Sequence, residues 1–292
     1  MDPVKAPAAR PALQPLCGGK DTMPTTYAHY RFGQDVLRRL STGPEKPILR
    51  RKELFDCGLH GPDLLFYYKA LSKNPVNTLG NEMHSQSARA FFEPAGRVIA
   101  AKPHQNSHLA YVYGFICHFA LDRCCHAFIN AYTEESGVSH LGIEAEFDRY
   151  LMEKDGLDPL RQLLTGHVVP SDFNAEIIAD FYPELDRQQV LDAMKGFVFY
   201  LNQLVAPPGL KRKALMTALK AAGQSGLQDL FIPETPHPAC AASNERLEQL
   251  YAQALEEAVK LICEFRDSAA GLCPWNELYD FNFNSILVGS EA

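Results

Sequence analysis

Residues 118–144 read HFALDRCCHAFINAYTEESGVSHLGIE, and two helical ligand patterns follow one another inside them. The first is His118-x3-Asp122-x3-His126; the second is His140-x3-Glu144. Side chains four apart lie on one face of a helix, so five metal-competent groups are placed to converge from two neighbouring helices. On a helical wheel the first three span about 80° and about 12 Å along the axis, a stripe that can serve more than one ion. Asp122 sits at its centre, and a carboxylate, unlike an imidazole, can bridge two ions. A buried helix histidine taken alone is as well explained by packing; two such motifs in succession are not. The metalloprotease pattern H-E-x-x-H is absent from the sequence.

Around this stretch the periodicity is helical almost throughout. Apolar residues at steps of three and four predict one long helix over 106–131 and a second over 141–153, with Ser139 as its N-cap. Further helical patterns run over 30–42, 48–56, 63–72, 86–94, 158–165, 187–205, 210–222 and 244–270, and alternating strand patterns are lacking. The expected fold is therefore all-α, a single-domain multi-helix bundle. Residues 1–22, rich in Pro and Ala, read as a disordered N-terminal extension, leaving 23–292 as the helical domain.

Composition narrows the function classes. The chain has 292 residues, 46% of them hydrophobic and 22% charged. Those proportions are ordinary for a globular protein. No apolar run reaches the length of a membrane span, roughly 18 residues. A net charge of −7 gives no general attraction for a phosphate backbone, so no general nucleic-acid binding is expected. The eight cysteines form no C-x2-C pair and the first residues lack the apolar core of a secretory signal. Free thiols and a cytoplasmic location are the expectation. Cys125 shares the face of His118, but with histidines and carboxylates in hand it reads as packing, as do Cys117 and Cys124.

Upstream, Asp63 follows Pro62, where a helix naturally begins, and His29 and His84 stand in short polar contexts. Taken in order, His29, Asp63, His84, His118-x3-Asp122, His126 and His140-x3-Glu144 resemble the ligand series of the bacterial zinc-dependent phospholipase C family. That family shares its all-helical fold with fungal zinc nucleases that cut single-stranded nucleic acid. The resemblance implies two or three Zn2+ ions. Asp63, His84, His118 and Asp122 would hold one; His126, His140 and Glu144 a second; His29 and the bridging Asp122 a third, completed by a free N-terminus at Pro24.

It further implies hydrolysis of a phosphodiester by metal-activated water, with Asp63 or Glu144 assisting as general base, and a small-molecule or phospholipid phosphoester as substrate. Phe66 and Tyr67 are placed to flank a head group or acyl stem. The interval of four between Asp122 and His126 is shorter than the family's usual one and shifts the expected place of the second ion. A nuclease or nucleotidase, and a non-catalytic helical protein with a structural metal, are the alternatives. Glu144 favours a phospholipase, because the nucleases usually carry Asp there, and structural zinc is normally closed by four protein ligands.

Overall fold

The computed structural model describes residues 26–40 and 43–288. The expected N-terminal extension and the terminus at Pro24 lie outside the described residues. Eleven α-helices and four short 3-10 segments make up the regular structure among the described residues, and Phe281 with Leu287 forms only an isolated bridge. All-α with one core is what the structure shows.

The centre is α6, Gln105–Ser136, in which every residue from Ser107 to Asp122 is buried. A helix apolar on all sides belongs inside, surrounded by others. Around it lie α1 (Thr26–Arg39), α2 (Glu45–Arg50), α3 (Lys52–Gly58), α5 (Arg89–Ala101), α7 (His140–Lys154), α8 (Asp172–Ala179) and α11 (Ala241–Ala269). Gly137, in the left-handed region at φ 72°, stops α6. A left-handed glycine is a common way to end a helix. The Ser139 hydroxyl then accepts the Gly142 N–H and starts α7 as expected. The turn is short, so the two ligand motifs face each other.

Where α3 crosses α6, Gly58 meets Gly114, and a Cβ on Gly114 would overlap the Phe55 carbonyl. The two backbones therefore touch. His118 follows one turn after Gly114, which fixes it against the segment leaving α3.

Several expected elements differ. The pattern over 48–56 is broken at Arg51, whose backbone (φ −141°, ψ 51°) leaves the helical region and separates α2 from α3. In place of a helix over 63–72 there is a 3-10 segment, Gly61–Tyr67, ended by extended Tyr68 and a left-handed Lys69 at φ 45°. The segment 158–165 forms turns: so short a stretch does not sustain a helix alone, and Leu160 and Leu164 pack on the core from a loop. The helix expected over 86–94 begins at Arg89 and continues through Pro94 to Ala101. Two further helices are absent from the expected set. These are α4 (Pro75–Ser85), set by an Asn74/Asn77 capping box, and α8, capped by Ser171. The remaining helices, α9 (Arg187–Leu204) and α10 (Leu210–Ala221), fall where periodicity places them.

Candidate metal centre

Five elements deliver the eight expected ligands. α1 brings His29, the 3-10 segment Asp63, α4 His84, α6 His118, Asp122 and His126, and α7 His140 and Glu144. All eight are buried, none above 7% exposed.

They form three adjoining metal-competent groups: Asp63, His84 and His118; His29, His118 and Asp122; and His126, His140 and Glu144. His118 belongs to two of them. His84 Nε2 lies 3.0 Å from Asp63 Oδ1, His118 Nε2 3.6 Å from Asp63 Oδ2 and 3.1 Å from Asp122 Oδ2, and His29 Nε2 3.1 Å from Asp122 Oδ1. His126 Nε2 joins the rest, 3.5 Å from both Asp122 Oδ1 and Glu144 Oε1, and His140 Nε2 is 3.1 Å from that same Glu144 oxygen. Because Asp122 and His126 are only one turn apart, the third group abuts the other two.

These separations test whether a metal fits. Tetrahedral zinc with ligands about 2.0–2.1 Å away places its donors about 3.3 Å from one another. Several of the donors are, moreover, buried and aimed at one another without well-formed hydrogen-bond geometry: Asp63 Oδ1, His84 Nε2 and His118 Nε2, with Glu144 Oε2 having no partner. A buried polar group without a well-formed hydrogen bond is costly, and a cation between these donors would satisfy them together. The residues fit zinc.

Electrostatics agree. Burial opposes the charge on Asp122, but His118, His126 and His29 outweigh it and hold the carboxyl well below the usual range. Burial likewise opposes ionisation of Glu144, yet His140 and His126 bring it down to about 2. Burial would lower His126, and Asp122 and Glu144 instead raise it to about 9. A dication can take the place of such protons between the same groups.

Outer contacts orient the rings. His84 Nδ1 lies 2.7 Å from the Gly80 carbonyl and so donates to it. That bond turns Nε2 toward Asp63, as the outer partner of a metal-binding histidine does. His140 Nδ1 pairs with Asn130 Oδ1 at 2.9 Å, leaving its Nε2 for Glu144. The Tyr27 and Ala28 N–H groups donate to Asp148 (3.0 and 2.7 Å), pinning the start of α1 so that His29 reaches Asp122. Gly61, at φ 46°, lets the backbone pass where a Cβ would overlap the His118 ring. Only glycine combines that backbone with that approach at no steric cost.

The C-terminal run FNFN, 281–284, closes the centre, a role its sequence does not announce. Phe283 packs on His84 (5.0 Å between ring centres) and on His118 (5.7 Å), and Asn284 Oδ1 accepts from Asn130 at 3.5 Å. Asn282 holds this turn through the Asn284 and Ile286 N–H groups, while Trp275 packs on Phe265 and Tyr279.

Other histidines stay outside. His108 bridges the His104 carbonyl and Asp180, and His60 pairs with His167 at 2.7 Å. Burial drives the Cys125 thiol well above its ordinary pKa, as befits a packing residue. Phe66 stacks on His84 at 5.6 Å and so stands beside the centre, whereas Tyr67 meets Phe197 edge-on, one layer further out.

Adjoining buried His/carboxylate groups of this kind in an all-helical protein have the chemistry to hold zinc. A family model described as zinc dependent phospholipase C matches residues 28–191, more than half of the chain and a span that contains all eight candidate ligands. The protein belongs to the zinc-dependent phospholipase C family, and that membership supports a zinc-dependent hydrolase. No curated protein and no solved structure matched the chain. Among the described residues no helix is long and apolar enough to cross a membrane.

Proposed function

We propose that the protein is a phospholipase C-like phosphodiester hydrolase whose substrate is a lipid phosphoester, cleaved by water to leave a diacylglycerol-type alcohol. The observation that carries this reading is the continuous chain of eight buried donors from His84 to His140, spaced as zinc ligands and contained in the family-matched segment. In this reading Asp63, His84, His118 and Asp122 hold one ion and His126, His140 and Glu144 a second, with His29 and Asp122 available to a third. Zinc at these positions supplies positive charge to a phosphate and lowers the pKa of water toward neutrality.

The chain's own residues do the rest. Glu144 directs Oε1 at His126 and His140 while Oε2 has no hydrogen-bond partner, so that oxygen is the better placed to take a proton from the attacking water. Asp63, whose two oxygens face His84 and His118, is the second candidate base. Asp122 fixes the mutual position of His29, His118 and His126. Phe66 shields the His84 side from water and, with Tyr67, flanks the apolar part of the substrate. The described cysteines are all free thiols, which supports the reading of a reducing, cytoplasmic environment.

The test is a side-by-side assay of the zinc-loaded full chain on phosphatidylcholine, single-stranded DNA and an aryl phosphodiester. Turnover of the lipid and the aryl ester, lost at least 100-fold in Asp122→Asn, is the expected result. Zinc retained with no turnover on any of the three would instead make the centre structural, and preferential cleavage of DNA would make the protein a nuclease.

A further inference from the structure

Beside the metal centre lies an apolar cleft of about 440 Å3. One wall is Phe66 and Tyr67 with the Asn77 and Asn81 face of α4; the other runs from Phe199 on α9 to Leu215 and Leu219 on α10 and on to Leu227 and Phe231. Most of this lining lies beyond residue 191, outside the family-matched segment. We propose that this cleft binds one alkyl chain of the lipid phosphoester substrate, a proposal that rests on the hydrolase reading for the identity of the ester but not for the chain itself.

Three observations support that occupant. Among the described residues no Asp, Glu, Lys or Arg lines the cleft, so a charged head group would find no counter-charge there, whereas a hydrocarbon needs none. Three side-chain amides and two phenols are its polar complement, too few to satisfy the backbone of an inserted peptide. The size matches: ligand sites are typically about 300–1,000 Å3 and mostly apolar, and at about 30 Å3 per water-sized group the cleft takes on the order of ten or more methylenes.

The cleft also ends close to the metal centre, with the Phe66 ring between them. Phe66 forms its inner end and stacks on His84 at 5.6 Å, so a chain lying in the cleft ends one aromatic ring from the Asp63–His84 pair. Gly80 makes that possible: a Cβ there would stand 3.0 Å from the Phe66 ring. The walls on α10 are half-buried rather than part of the core, and Leu71 and Phe199 stay 64% and 58% exposed at the rim. Such exposed apolar groups on a charge-free cleft are suited to drawing a chain from a lipid surface.

The experiment has two arms on the zinc-loaded full chain. The first measures kcat/KM on methyl, hexyl and dodecyl p-nitrophenyl phosphodiesters below their micelle concentrations. At about 0.8 kcal/mol per buried methylene, each added carbon is expected to raise kcat/KM by about two- to fourfold until the cleft is full. Leu219→Trp and Leu227→Trp, which fill it from two separate segments, should remove at least tenfold of the dodecyl advantage and leave the methyl ester unchanged. Equal chain-length dependence in wild type and both variants would overturn the proposal.

The second arm titrates dansylaminoundecanoic acid as a fluorescent chain, with no need for turnover. Saturable binding weakened at least tenfold in both variants supports the cleft, even if no ester is cleaved, in which case it is the hydrolase reading that fails. No saturable binding to the full chain overturns the cleft in favour of a protein occupant, a second copy or the chain's own N-terminal segment, while hydrolysis of the methyl ester leaves the hydrolase reading standing.

Discussion

Asn130 illustrates how much of the centre depends on single residues that bind nothing themselves. Its amide oxygen fixes the tautomer of His140 and its nitrogen is tied to Asn284, so the C-terminal run acts on a ligand through it. Asn130→Ala is expected to weaken zinc retention about 10- to 100-fold in competition with a chelator, while the unfolding midpoint of the metal-free protein stays close to wild type. Gly61 acts by shape. Gly61→Ala combines a left-handed backbone with a Cβ in the His118 ring. A loss of about 1–3 kcal/mol in urea unfolding is therefore expected, together with reduced zinc content. His118, Asp122, His126, His140 and Glu144 were legible as candidate ligands because i, i+4 spacing is a property of one helix, whereas His29, Asp63 and His84 joined them only through the resemblance to the family. Asn130, Gly61 and Phe283 were not, because their partners lie 10, 57 and roughly 165–200 positions away, and local pattern does not encode such contacts.

At the level of elements, the crossing of α3 and α6 sets the site. Gly58 and Gly114 bring the backbones together, and α6 then carries His118, Asp122 and His126 down one face. Gly114→Ala has no flexible side chain to displace, only the Phe55 carbonyl and the Gly58 backbone. About 1–3 kcal/mol or more should be lost and α3 should shift. Thermal unfolding of the metal-free variant checks the first, and zinc content the second, since a shifted α3 carries Asp63 with it. The long helices α6, α7, α9 and α11 were readable from their periodicity. α4 was not: Val76, Leu79 and Met83 recur at helical steps in PVNTLGNEMHS, but the stretch is short and its Gly and two Asn favour turns, so it is held by its cap and by packing on the 3-10 segment. His84 could therefore be singled out as a candidate ligand, through the family resemblance, before its helix could.

Across the whole molecule, burial of ionisable groups makes stability depend on pH. His60 and His167 share one hydrogen bond; burial lowers both, His60 well below its ordinary value and His167 to about 3. Their neutral forms are favoured only when folded, so this stability is fully present above about pH 6.5 and is lost as pH falls from there toward 3. For His167 alone the loss by pH 5 is up to about 2 kcal/mol, and His167→Gln should flatten part of the decline in urea-unfolding free energy between pH 7 and pH 5. Zinc acts on the same equilibrium. A single ion at 100 times its Kd adds about 2.7 kcal/mol, so chelation should lower the melting temperature measurably, and re-addition of zinc should restore it.

We propose that eight residues from five elements form one zinc centre. Anomalous scattering at the zinc edge from crystals of the zinc-loaded protein tests it most directly. Peaks are predicted inside the Asp63–His84–His118 and His126–His140–Glu144 groups. Each should lie about 2.0–2.2 Å from its donors. Zinc found only on surface residues, with both groups empty, would contradict it.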